Sequence, residues 1–125
     1  MIGSSTKLVA NYSDLEVYKK AFLVSLSIHR ASLDFPKHEQ FALTSQMRRA
    51  SKSICANLAE GFVKQQSSKA EFKRFLLIAM GSATEMQVWI DYARELGYAL
   101  PKIAQDWKSE YVLILRMLQK LYNNI

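Results

Sequence analysis

The sequence predicts an all-α fold, an antiparallel up-down four-helix bundle. In each of four segments, apolar residues recur at steps of about three and four residues, and no segment shows the period of two that marks a strand. Short connections between these segments favour antiparallel neighbours. With 125 residues, 50% of them hydrophobic, the chain suits one domain with one core. We therefore expect a single bundle over residues 12–125 after a flexible N-terminal segment, residues 1–11.

The first predicted helix starts at a capping signal and ends before a proline. In the segment Ser13–Glu16, the serine hydroxyl can accept a hydrogen bond from the glutamate amide, and the glutamate side chain can reach back to the serine amide. Pro36 disfavours the helical conformation of the residue that precedes it, so we expect this helix to end near Asp34.

The second predicted helix begins between His38 and Thr44 and runs to about Glu60. Gly61 follows as a candidate for the left-handed residue that ends many helices, because glycine adopts positive φ without a steric cost. After a short loop, the segment Ser68–Glu71 forms a second capping box, which predicts the start of the third helix.

The third predicted helix extends to Gly97, and the chain turns before Pro101 into the fourth. Both helices carry more apolar residues than one core-facing stripe requires. Surplus apolar surface on a helix indicates a second interface. A wide core stripe with scattered surface hydrophobes would give the same pattern. Of the two interpretations we favour a homo-oligomer.

Residue types that carry catalysis or bind metals are sparse. The chain has 2 histidines and 1 cysteine, fewer than a zinc site usually needs, and neither histidine follows a carboxylate at the spacing of a di-metal site. Phosphate-binding glycine loops and nucleophile elbows are also missing from the sequence. Cys55 is typical of a reduced compartment, and no apolar run approaches the roughly 18–20 residues that span a bilayer. We expect a cytoplasmic protein that is not an enzyme and binds no cofactor, metal or membrane.

Basic residues are the main chemical feature. The chain has 17 Lys and Arg against 11 Asp and Glu, a net charge of +6 that favours an anionic partner such as nucleic acid. Their helical spacing brings several onto shared faces, where they could bind phosphates. A solvated surface is the alternative interpretation. The candidate nucleic-acid contacts are Arg48, Arg49 and Lys52 on helix two, Lys64 in the loop, and Lys69, Lys73 and Arg74 on helix three.

A polar pair and a run of small residues are interpreted as architectural. Asn57 and Glu60 lie near the end of helix two, and we expect hydrogen bonds from them to join helix ends. Gly81 and Ser82 lie among small residues in helix three. Because glycine costs a helix interior about 1 kcal/mol relative to alanine, we expect another helix to approach closely at Gly81.

Three blocks of the sequence resemble one family: Asp34–Glu39 with Leu43–Ala50, then Ser53–Gly61, then Glu71–Ser82. They resemble the bacterial four helix bundle protein family, whose members include proteins encoded in intervening sequences of large-subunit ribosomal RNA genes. The accessory variability determinant of diversity-generating retroelements is a relative of this family.

The resemblance implies a four-helix bundle assembled as a homopentameric ring with a basic surface or pore. For the retroelement relative it also implies binding of nucleic acid and of a reverse transcriptase. In the family pattern, basic positions match Arg48, Arg49, Lys73 and Arg74, and architectural positions match Asn57, Glu60, Gly61, Gly81 and Ser82.

Two functions remain open from the sequence, and a small enzyme is kept as a third because the absence of a motif is not proof. The first is a homo-oligomer that binds the backbone of RNA or DNA without reading its sequence, since the chain has no motif that reads a groove. The second is a scaffold whose exposed apolar helices recruit a protein such as a reverse transcriptase or a ribosome-associated factor. Affinity that falls steeply with salt would favour the first function, and salt-insensitive capture of a partner would favour the second.

Overall fold

The computed structural model describes residues 10–125, and in this range the chain forms helices and no strand. The helices are α1 (Glu16–Ser32), α2 (Leu43–Lys64), α3 (Lys69–Glu95) and α4 (Pro101–Asn123). Two short 3-10 turns, Tyr12–Asp14 and Lys37–Glu39, precede α1 and α2. Most of the predicted flexible segment, residues 1–9, lies outside the described residues.

The start of α1 differs from its prediction. Ser13 lies inside the first 3-10 turn, and α1 begins at Glu16. Asn11 caps that turn instead, because its side-chain oxygen accepts the Ser13 amide at 3.1 Å and the Ser13 hydroxyl at 2.9 Å. The predicted capping box at Ser13–Glu16 is therefore wrong, since the serine hydroxyl donates to Asn11, two residues upstream.

The end of α2 also differs, and the reason is packing against α3. The helix continues past Gly61 to Lys64, and Gly61 is buried. A Cβ on Gly61 would lie 2.8 Å from the Cβ of Phe75 and 3.0 Å from Cδ1 of Phe72. Gly61 is thus not the predicted left-handed residue after α2, and its missing side chain allows α3 to approach.

The predicted boundaries of α3 agree with the structure. The Ser68 hydroxyl accepts the Glu71 amide at 3.1 Å, as one half of the capping box requires. Gly97 has φ of 80°, the one positive φ among the described residues. The amide of Tyr98 donates to the carbonyl of Ala93 at 2.8 Å, which completes the left-handed cap after α3.

The helices pack around one apolar core. Each helix contacts the next along the chain, and α1 also contacts α4. Polar side chains also link elements around this core. The Trp107 indole donates to Ser27 at 3.2 Å and links α4 to α1. The Tyr98 hydroxyl donates to Glu39 at 2.7 Å and links the α3–α4 connection to the second 3-10 turn. The largest fully buried side chains include Ile28, Met47, Ile54, Leu58, Leu76, Met86, Ile90, Tyr111, Ile114 and Leu118.

The residues interpreted as architectural have varied environments. Asn57 donates to the Ser53 carbonyl at 2.8 Å within α2, and Glu60 is exposed, so the expected joint between helix ends does not form in the described chain. Ser82 donates to Ser53 at 3.0 Å and links α3 to α2. A Cβ on Gly81 would meet no heavy atom within 4 Å among the described residues, so no helix of the same chain makes the expected close approach.

Candidate nucleic-acid interface

The predicted basic residues do not form one surface, because α2 carries them at separate places. Arg48, Arg49 and Lys52 lie in the first half of α2, whereas Lys64 ends it. From Lys52 to Lys64 the distance along the helix is about 18 Å. Lys69, Lys73 and Arg74 lie with Lys64 near the connection between α2 and α3. The two groups must therefore be considered separately.

The group near the α2–α3 connection is engaged with the protein itself. Arg74 pairs with Glu71 at 3.1 Å, and the hydrogen bond from Arg74 lowers the pKa of the Glu71 carboxyl. The guanidinium of Arg74 also lies 4.5 Å from the ring centroid of Phe75. Lys64 lies 5.9 Å from the same centroid, and Lys73 lies 5.0 Å from that of Tyr122. Lys69 is exposed. Within this group Arg74 is paired with an acid, whereas Lys64 and Lys73 contact aromatic rings.

Arg49 is paired with a carboxylate of α3. Its guanidinium forms an ion pair with Glu85 and also donates to Gln46 within α2 at 3.0 Å. The indole of Trp89 donates to the same Glu85 carboxylate at 2.9 Å. A phosphate that binds Arg49 would have to compete with Glu85, so Arg49 is a weaker candidate than its sequence position suggests.

Arg48 holds the end of α1 in place. It donates to the Ser32 hydroxyl at 3.1 Å and to the Gln40 side-chain oxygen at 3.0 Å. The Gln40 amide in turn donates to the carbonyl oxygens of Ser32 at 3.2 Å and Phe35 at 3.0 Å. Arg48 therefore has a structural role that the sequence did not reveal, while its charge has no carboxylate within 4 Å among residues 10–125.

Lys52 reaches α1 and brings two further basic residues into the site. Its ammonium donates to Nδ1 of His29 at 3.0 Å, a contact that requires an unprotonated Nδ1. The charge of Lys52 lowers the pKa of His29, and burial, Arg48 and Arg30 act in the same direction. Sequence reasoning missed His29 and Arg30 as site residues. Pairing the end of α1 with the first half of α2 would have placed His29 beside Lys52, with Arg30 next to His29 in the chain.

We call His29, Arg30, Arg48 and Lys52 the α1–α2 cationic cluster. Within the described part of the chain, none of its arginines or its lysine forms an ion pair with a carboxylate. Guanidinium and ammonium groups gathered in this way bind phosphate oxygens through charge-assisted hydrogen bonds. The arrangement can therefore hold an anion without breaking an existing ion pair.

The described residues also bear on metal binding, thiol chemistry and membrane insertion. Between residues 10 and 125 there is no group of three or more His, Cys, Asp or Glu side chains that could hold a metal ion. Burial raises the pKa of the Cys55 thiol to about 11, so this sulfur is a protonated thiol at neutral pH. Over the same range no helix is long and apolar enough to cross a membrane.

Comparisons with known proteins agree with the helical fold. A family model described as 23S rRNA-intervening sequence protein matches residues 13–120. A solved structure from Bacteroides thetaiotaomicron, described as a protein with unknown function from the S23 ribosomal protein family, superposes with a TM-score of 0.76. The two chains are 22% identical, and the match covers 86% of this chain and 95% of the other. A search of curated proteins finds no significant match.

Proposed function

This chain belongs to the 23S rRNA-intervening sequence protein family, and from this premise we propose that it is a non-enzymatic, homo-oligomeric protein that binds the backbone of nucleic acid. The observation that carries the proposal is the α1–α2 cationic cluster. Lys52 contacts His29, Arg30 follows His29 on α1, and Arg48 precedes Lys52 by one turn of α2. None of these three cations has a carboxylate partner among residues 10–125. The net charge of +6 adds a favourable long-range field.

The proposed contacts are phosphate contacts. Arginine binds phosphate oxygens with two parallel hydrogen bonds, and lysine binds them as a point charge. Contacts of this kind position a nucleic acid but carry no sequence information. The binding is therefore sequence-tolerant, and RNA and DNA are both ligands of this surface.

Salt dependence tests the proposal. With about three phosphates neutralised, the logarithm of the binding constant should fall with the logarithm of salt concentration at a slope of about −2 to −3. Fluorescence anisotropy of labelled RNA and DNA between low and physiological salt measures this slope. Absence of binding at low salt would contradict the proposal, and a protein partner such as a reverse transcriptase would then be the better hypothesis.

For the bundle we propose the antiparallel up-down topology. Contacts between α2 and α3 support it, because partners on α3 retreat along the chain as residues on α2 advance. The pairs are Arg49 with Glu85, Ser53 with Ser82, and Gly61 with Phe75. Between α3 and α4, Lys73 lies near Tyr122 and Asp91 pairs with Lys108, which follows the same order.

We also propose that the assembly is the homopentameric ring and that α3 contributes its contact surface. Leu77, Val88 and Tyr92 are exposed apolar residues on α3, and Gly81 lies between them on the exposed side. Because no described residue comes within 4 Å of a Cβ on Gly81, a second copy has room to approach the α3 backbone there. An exposed apolar stripe of this kind is typical of a contact between subunits.

Light scattering tests the assembly. The wild-type chain should give a multiple of 14.3 kDa, fivefold for the pentamer. Val88→Glu should lower the mass because it places a charge in the contact surface. Leu100→Glu is the control, since Leu100 is 72% exposed and lies in the turn after α3. A wild-type mass of 14.3 kDa, or equal masses for the two variants and wild type, would contradict the proposed surface.

A further inference from the structure

An apolar groove lies along the seam between α1 and α2, directly beside the α1–α2 cationic cluster. It encloses about 400 Å³ and is lined by Tyr18, Phe22 and Leu26 of α1 and by Cys55 and Ala56 of α2. Lys52 also lines it. Since Lys52 contacts His29, this one side chain belongs to both the groove and the cluster.

Three aromatic rings line the groove in order along the chain, Tyr12 of the first 3-10 turn followed by Tyr18 and Phe22 of α1. Tyr12 meets Tyr18 edge to face, with ring centroids 5.0 Å apart. Tyr18 and Phe22 are stacked with an interplanar angle of 15° and centroids 5.9 Å apart. Phe22 ends this series and keeps 44% of its surface exposed. The series therefore ends in a ring that still has surface available for contact with a ligand.

Phe22 and the contact between His29 and Lys52 lie at a separation that one or two nucleotide steps can span. From Phe22 to His29 the rise along α1 is about 10 Å, and Lys52 lies between the groove and His29. A ligand with a flat apolar group and an anionic group at this separation would satisfy both features at once. Nucleotides have this composition, since each carries a base with a π-face and a phosphate.

We propose that the groove selects single-stranded nucleic acid, with a base stacked on Phe22 and the adjacent phosphates bound by Lys52 and Arg30. The inference rests on the proposed function and adds the class of ligand to it. In a duplex the base faces are covered by neighbouring bases, so only a single strand can offer one to Phe22. The binding stays sequence-tolerant because every base has a π-face.

The test compares one RNA strand of 15 nucleotides, free of self-complementarity, with the same strand in a duplex. Anisotropy should show tighter binding of the single strand. Phe22→Leu keeps an apolar side chain but removes the ring, and it should weaken single-strand binding about tenfold while leaving duplex binding unchanged. Phe41→Leu is the control, because Phe41 is 98% exposed and does not line the groove.

A crosslink gives an independent measurement. Ultraviolet irradiation of the same strand with 5-iodouridine in place of uridine should label the peptide that contains Phe22. Labelling elsewhere only, or equal losses in Phe22→Leu and Phe41→Leu, would overturn the inference.

The outcomes separate the inference from the proposed function. Salt-dependent binding that does not distinguish single strand from duplex overturns the inference and leaves the proposed function standing. No binding of either RNA at low salt overturns both. Capture of an acidic helical peptide in the groove, with loss in Phe22→Leu and without any RNA binding, overturns both in favour of a protein ligand.

Discussion

Charge reversal of Arg30 and Lys52 together should lower the affinity for nucleic acid about a hundredfold at low salt, as measured by anisotropy. Each substitution to glutamate removes a cation that has no carboxylate partner among residues 10–125 and sets an anion against the phosphates. A hundredfold change corresponds to about 2.7 kcal/mol, or about 1.4 kcal/mol for each lost phosphate contact. Arg48 is left unchanged because it holds Ser32 and Gln40.

The matched control is the double reversal Arg116→Glu and Lys120→Glu. It makes the same change in net charge on α4, where both side chains are exposed. We expect only the small loss that follows from the weaker overall field. Equal losses in the two double variants would show that net charge alone governs binding and would contradict a local site. Each double variant places one glutamate in the last turn of a helix, at position 30 in α1 or 120 in α4. Both variants should therefore lose a similar amount of stability, about 0.3–1 kcal/mol, and remain folded.

Replacing Gly61 with alanine should lower the free energy of unfolding by up to about 2 kcal/mol. The new Cβ would lie 2.8 Å from the Cβ of Phe75, a contact that forces α2 and α3 apart. Overpacking of this kind costs about 1–3 kcal/mol, and the better helix propensity of alanine offsets about 1 kcal/mol of it. Urea unfolding measures the difference.

Gly81→Ala isolates the propensity effect. Both alanine variants should be made in the Val88→Glu background. Contacts between copies then do not contribute to the free energy of unfolding. A Cβ at Gly81 meets no described atom within 4 Å, so alanine there should gain up to about 1 kcal/mol. If both alanine variants were stabilised, the close packing of α2 against α3 at Gly61 would be refuted.

The two glycines at predicted helix ends show which parts of the fold can be predicted from the sequence. Gly61 and Gly97 gave the same local signal, yet only Gly97 adopts positive φ. The difference lies in Phe72 and Phe75, which are remote in sequence and close in space to Gly61. Helix number and type follow from periodicity, whereas the role of a single glycine depends on what packs against it.

For the capping serines and the basic residues, too, the role of a residue depends on groups outside the local sequence pattern. Ser68 caps α3 as predicted. The Ser13 hydroxyl instead donates to Asn11, a residue that the capping-box pattern does not include. The cluster on α2 was predictable from spacing. Its division into a paired Arg49 and a structural Arg48 was not, because Glu85 and Gln40 come from other parts of the chain. Arg30 lies on another helix, so no pattern within α2 could include it.

The location of the α1–α2 cationic cluster at the end of α1 has an energetic consequence. His29 and Arg30 are in the last turn of α1, where the helix macrodipole presents a partial negative charge. Arg48 is fastened to that same end through Ser32 and Gln40. The peptide dipoles of α1 thus stabilise these positive charges, as acidic side chains do elsewhere. Unlike a side chain, the dipoles cannot move away or be displaced by a ligand. In the proposed function, the cations would thus be held in place before a phosphate binds.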